Sequence, residues 1–484
     1  ANALDVNTTG DNNTAVGKHA LGANTTADNN AAVGFNALGA NTTGTKNSGF
    51  GAYALQQSTT GDNNAALGYN ALGANTTGTQ NTAVGNYALD ANTTASDNTA
   101  VGYYALTANS TGTHNTAVGA YALESNTSGD ENTAVGKSSL SYNVSGARNT
   151  SLGRSALSAN LANDNTAVGH DALLANTTGV QNVAVGSLAL DSNTTGGNNI
   201  SIGYHCLQAN TDGEHNAAIG SYALDANTGG DNNTGIGIHA LGGNTTGSNN
   251  VAIGQDSLKS NTTSSYNTAI GVKSLQNNTA AQNTAVGYNA LNANTSAEKN
   301  VAVGYYGLYA NTTGGSNTAV GHMALMTNTT ATENTAVGTE ALKVNTTGNS
   351  NTAVGRRALY SNTDQGFNTA IGEGALFSST GGNSNTAVGN QAMYATTTGD
   401  ENVALGRNAL DSNTTGSNNV ALGRSAMDIN TTGSNNVAVG KGALTSNTTA
   451  SDNTAVGHAA LYANTTGTNN TAIGYKALET STTA

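Results

Sequence analysis

The sequence has no proline, no tryptophan and one cysteine, and only 9% of its 484 residues are charged. Ordinary globular chains carry about 25% charged residues and about 5% proline, so this is not the composition of an average enzyme. Without proline, the 62 glycines cannot belong to collagen, which needs imino acids and glycine at every third position. The single Cys206 excludes a disulfide framework and any cysteine-based zinc site. No apolar run approaches the roughly 18 residues of a membrane helix, so no membrane insertion is expected of this segment. Basic residues are few, 15 Lys+Arg against 28 Asp+Glu. The net charge of −13 argues against nucleic-acid binding driven by bulk charge. No initiator Met and no basic-then-apolar leader is present. The chain opens inside a repeat and reads as a processed product or a section of something longer.

What the sequence does contain is one phrase, Asn-Thr-Ala-Val-Gly, repeated at near-constant spacing. Its Asn recurs from Asn13 to Asn470 in 28 copies, 17 residues apart except for two steps of 16, from Asn149 to Asn165 and from Asn267 to Asn283. The consensus is N-T-A-V-G-x-x-A-L-x-x-N-T-T-G-x-x, numbered below as columns 1 to 17. Columns 1 and 5 are invariant, as at Asn13, Asn81 and Asn115 and at Gly17, Gly34, Gly85 and Gly119. Column 4 is always apolar, and column 9 is Leu except at Met393 and Met427. Column 12 is Asn except at Ser58, Ser379, Thr396 and Ser481. No composition break divides the chain. A single repeat domain is expected over 1–484, with a partial coil over 1–12 and coils starting at Asn13 and ending at Ala484.

Asn, Thr and Gly weaken helices, and the apolar spacing within the unit is too short for a packable helix pair. Thr-Ala-Val reads as a short strand with Thr and Val on one face. Gly at column 5 turns the chain. Ala-Leu makes a second short apolar segment, and Asn-Thr-Thr-Gly is the return turn. Both one-residue deletions fall in that return, where exposed turns tolerate them. The expected fold is all-β: a parallel β-solenoid, or β-roll, of about 28 coils. One coil buries too little to stand alone, so stability must come from coil-on-coil stacking. The expected core is Val84 and Leu89, Val118 and Leu123, with an interior Asn ladder at column 1 or 12.

Apolar content per coil is low, and two of its columns are mostly alanine. Small residues let backbones approach closely, and three rolls around one axis close symmetrically. A homotrimer is therefore expected, with a lone solenoid as the alternative. The phrase Asn-Thr-Ala-Val-Gly-x-x-Ala, as at 81–88 and 115–122, resembles the repeat of YadA-like trimeric autotransporter adhesin heads. The full arrays also look like those of predicted phage tail fibres and bacterial surface fibres. The resemblance covers the whole chain. It implies a left-handed, trimeric β-roll in an extracellular fibre, on a cell or virion surface.

Columns 6 and 7 carry the chemical variety. Ten of the 15 basic residues and twelve of the 18 tyrosines lie there. They include Tyr103-Tyr104, Tyr305-Tyr306 and Arg356-Arg357, candidates for a face that binds a glycan or receptor. Such a stripe can equally be a solvated edge that prevents sideways aggregation. Acidic residues favour columns 10, 16 and 17. Histidines are scattered over distant coils, no nucleotide or hydrolase motif stands in its required context, and Cys206 occupies a small-residue column. No catalysis and no cofactor are expected. Isolated calcium ions are conceivable at Gly-Asp-Asn-Asn (61–64) and Gly-Asp-Glu-Asn (129–132). Asn-Thr-Thr matches a glycosylation sequon, with a structural turn ladder as the other explanation. Adjacent Thr columns raise ice binding by a monomeric solenoid as a third function. The leading expectation is a structural fibre shaft that associates with itself as a trimer or end to end. An adhesin is the second.

Overall fold

The computed structural model describes residues 2–483. Ala1 and Ala484, the ends of the expected domain, lie outside them. The chain is an all-β parallel solenoid with one three-residue strand per repeat and no helix among the described residues. It divides into two compact units, Ala1–Thr246 and Gly247–Ala484. The first unit holds β1 (Thr14–Val16) to β14 (Thr234–Ile236), and the second β15 (Val251–Ile253) to β28 (Thr471–Ile473).

Within each unit every strand pairs in parallel with the next, with matching columns opposite each other. Between β5 (Thr82–Val84) and β6 (Thr99–Val101), Thr82 faces Thr99, Ala83 faces Ala100 and Val84 faces Val101. The ladder is not confined to strands. Tyr87 N–H donates to the Tyr69 carbonyl of the coil before (2.9 Å), Leu89 N–H to Ala105 of the coil after (3.1 Å), and Thr76 N–H to Thr93 of the coil after (2.8 Å). Turn backbone is thus satisfied from coil to coil, as strand backbone is.

The Tyr87 and Leu89 amides belong to residues in left-handed backbone. Three non-glycine columns adopt it in nearly every coil: column 7 (Tyr87, φ 60°), column 9 (Leu89, φ 52°; Leu123, φ 50°) and column 17 (Gln80, φ 60°). β-Branched residues tolerate positive φ least, and none of the 28 coils places Val, Ile or Thr in these three columns. They occur freely in columns 2, 4 and 13. This is why column 9 is Leu or Met and never Val. The Ala-Leu segment, expected as a second short apolar segment, is a turn whose Leu is left-handed. Column 5 is more demanding. Gly119 has φ 135°, and a Cβ on it would lie 2.6 Å from the carbonyl carbon of Gly136 in the next coil. Only glycine meets both conditions.

The interior is narrow. Ala at columns 3 and 8 and Leu at column 9 fill it, and Leu89 and Leu123 are fully buried. The strand pleat sends column 3 inward, so columns 2 and 4 must point out. Val84 is only half-buried and Val118 is 36% exposed. The expectation that these valines share the core with the leucines is therefore corrected. So is the expectation that the alanine columns face a neighbour, since the alanines line the inside.

Two Asn ladders complete the interior. In column 12, Asn41 Nδ2 donates to Asn24 Oδ1 of the preceding coil (3.0 Å) and to the Gly44 carbonyl (2.9 Å). In column 1, Asn30 Nδ2 donates to the same Gly44 carbonyl (2.9 Å), and Asn30 Oδ1 accepts the backbone N–H of Asn47 (2.9 Å). Both columns are used, and their side chains are buried from coil to coil. The 16-residue coils lose one residue of the return turn. Asn160 Nδ2 reaches the Ala162 carbonyl (2.8 Å) and Asn278 Nδ2 reaches Ala280 (2.6 Å), two residues on where the full coil has three. The exposed column 14 is what drops out, and the register of the next strand survives.

Candidate functional site

Columns 6 and 7 lie on the solvent side of the Gly turn, and column 10 follows the buried Leu onto the same side. Because coils stack in register, equal columns in successive coils form files. Aromatic side chains in these files meet one another. In the first unit, contacting rings run from His19 through Phe35, Tyr53, Tyr69 and Tyr87 to Tyr103, Tyr104 and Tyr121, with centroids 4.4–6.3 Å apart. Tyr103 and Tyr104 are edge-to-face at 4.4 Å. In the second unit, Tyr305 and Tyr306 are 4.5 Å apart, and Tyr305 stacks on Tyr288 and on His322 with interplanar angles of 14° and 6°. Rings stacked on each other spend their faces on each other, and mainly edges remain for a ligand. Partial desolvation among the rings pushes the Tyr104 and Tyr305 phenols above their ordinary value, and the neighbouring phenols add to it.

Arg356 and Arg357 belong to a polar network. Arg356 pairs with Glu373 of the next coil (3.0 Å), and Arg357 Nε pairs with Glu340 of the coil before (2.7 Å). Glu340 also holds Lys343 (2.7 Å). Hydrogen bonds from Lys343 and Arg357 lower the Glu340 carboxyl to about 2. Tyr360, Phe377 and Tyr394 stack beside this network in column 10, at 5.2 and 4.9 Å.

Two clefts open on this side of the second unit; the candidates Arg356 and Arg357 line the first, and no candidate residue lines the second. One, of about 230 Å³, is lined by Arg356, Arg357, Glu373, Gly374, Phe377, Asn390, Gln391 and Tyr394. The other, of about 260 Å³, is lined by Arg424, Ser425, Asp428, Lys441, Gly442, Thr445 and Tyr462. Each sits on a column 7 glycine, and Gly374 and Gly442 are the only glycines that column 7 contains. That rarity was the available signal: a missing side chain, not a conspicuous one.

The remaining candidates have structural roles. Cys206 is fully buried, and burial raises its thiol to about 11. His205 beside it stacks on Tyr222 and bonds to Gln208. Asp62 and Asp130, in the turns weighed for calcium, each use Oδ1 to accept the backbone N–H of the coil before, from Thr45 (2.6 Å) and Thr113 (2.7 Å). No group of three or more His, Cys, Asp or Glu side chains converges among the described residues. The Asn of Asn-Thr-Thr is the buried column 12 ladder, out of reach of glycosylation in the folded chain. The column 13 Thr hydroxyl donates along the stack, as from Thr42 to the Thr59 carbonyl (3.0 Å). No helix of the described residues is long and apolar enough to cross a membrane. No family model and no curated protein matches the chain.

Proposed function

We propose that this chain is a non-catalytic structural fibre segment, outside the cell or on a virion, whose main chemistry is association with copies of itself. The observation that carries the reading is the outer face of the strands. Columns 2 and 4 hold no charged residue in any coil, yet they face outward, with Val16 57% and Leu67 54% exposed. Column 4 is apolar in every coil and runs beside a column 2 that is mostly Thr or Val; an exposed apolar file repeated coil after coil marks an association face. Three such faces around one axis cover each other, which agrees with the left-handed trimeric roll that the adhesin-head resemblance implies. Sedimentation equilibrium is expected to give about three times the 47.9 kDa chain mass. Replacing Val84, Val101 and Val118 together by Lys is expected to lower that mass while circular dichroism stays unchanged. A wild-type particle of single-chain mass would overturn the trimer.

The two clefts favour a second reading, in which the column 6, 7 and 10 side also takes a surface glycan. Binding of the chain to a glycan array tests it, and an array with no signal would remove it.

A further inference from the structure

The clefts at Gly374 and Gly442 are built on one plan. Each has a column 7 glycine, an Arg in column 6 of the coil before (Arg356; Arg424) and a Tyr in column 10 of the coil after (Tyr394; Tyr462). The ring closes over the glycine in both. A Cβ on Gly374 would lie 3.3 Å from Tyr394 Cδ2, and one on Gly442 3.8 Å from Tyr462 Cδ2. Each cleft also holds two cations and one carboxylate: Arg356, Arg357 and Glu373 in the first, Arg424, Lys441 and Asp428 in the second.

They differ in what their cations are doing. Arg356 and Arg357 are committed to Glu373 and Glu340. Arg424 and Lys441 enter no salt bridge among the described residues, although Arg407, Arg424 and Lys441 occupy column 6 of three successive coils. Strand spacing places such neighbours about 4.8 Å apart, where like charges repel. A file of this kind is relieved by an anion. Tyr462 is 44% exposed, and no other ring stacks on it among the described contacts, so its face is open.

Resting on the glycan-binding reading, we propose that the Gly442 cleft binds a carboxylate-bearing sugar of an acidic oligosaccharide. Arg424 and Lys441 take the carboxylate. The Tyr462 ring packs against the apolar C–H side of the sugar. Asp428, Ser425 and Thr445 supply partners for hydroxyls. Asp428 accepts from hydroxyls, which a sugar ring offers and a phosphodiester backbone lacks, so the cleft suits a sugar better than a phosphodiester chain. The Gly374 cleft has the same frame but must release Arg356 from Glu373, so it binds more weakly.

The test is calorimetric titration of the whole chain with hexagalacturonate, with maltohexaose and hexathymidylate as controls. Wild type is expected to bind the uronate and neither control. Gly442→Asn fills the cleft with a residue that column 7 already carries at Asn36, Asn70 and Asn408, at φ 53–57°, so the fold is retained. It is expected to weaken binding at least tenfold, as is Arg424→Gln, while Gly374→Asn leaves the tighter site unchanged. Uronate binding that survives Gly442→Asn and Arg424→Gln would overturn the assignment, as would equal binding of either control. A glycan array that binds wild type but gives the same signal with both variants removes this site and keeps the glycan reading. An array without any signal removes both.

Discussion

Where column 12 is not asparagine, the interior ladder breaks. The hydroxyls of Ser58, Ser379 and Thr396 find no hydrogen-bond partner, because a shorter side chain cannot span to the preceding coil. The loss extends one coil back: Asn41 Oδ1, which precedes Ser58, and Asn362 Oδ1, which precedes Ser379, are left buried without a donor. A buried orphan acceptor costs about 1–3 kcal/mol. Ser58→Asn is therefore expected to stabilise the chain by about 1–2 kcal/mol, read as a higher midpoint in thermal unfolding. A lower midpoint would show that the site has no room for the amide. Asp411 is a second soft position. Burial, and then the Asp428 carboxylate of the next coil, raise it from 3.8 to about 6. A carboxyl that the folded chain holds protonated adds stability at low pH. That contribution is lost as pH rises through about 6. In a dry interior the difference would be roughly 3 kcal/mol, and solvent screening at this half-buried position leaves about 1 kcal/mol. Asp411→Asn is expected to raise stability by about that amount at pH 7 and to change nothing at pH 3, in denaturant titrations at the two pH values.

At the scale of the coil, conformation selects sequence more sharply than burial does. Leu89 and Ala88 are equally buried, but only Leu89 is left-handed. A Leu→Ile exchange in an ordinary core costs under about 1.5 kcal/mol. At Leu89 the β-branched side chain also meets a positive φ, which adds about 1–2 kcal/mol. Leu89→Ile is thus expected to cost about 2–3 kcal/mol, and Leu89→Met, which column 9 already uses at Met393 and Met427, much less. Equal unfolding midpoints for the two variants would remove this account of the column. The same comparison shows what could be read in advance. The repeat, its strand, its Gly turn and its Asn ladder were legible, because each rests on columns that are invariant or vary little. The inward or outward sense of Val84 and Val118 was not. It depends on which residues fill the interior, and the restriction of column 9 to Leu and Met reflects φ as well as size.

For the whole molecule, the repeat made the fold legible, whereas of the two clefts only Arg356 and Arg357 stood out in the sequence. The tyrosine pairs 103–104 and 305–306 stood out in the sequence, yet the structure engages them with neighbouring rings. The clefts arise where a side chain is missing, and Tyr394 and Tyr462 reach them from the following coil. Only knowledge of which columns share a side brings them together. The two 16-residue coils carry one more lesson. A residue is removed, and the strands on either side still pair in matching columns, because every coil presents one common surface to the coil before it and one common, complementary surface to the coil after. A coil can therefore be copied or deleted as a cassette without redesigning its neighbours. Unequal exchange between repeats in the gene would then change the protein's length in whole coils, leaving a working fold at each step.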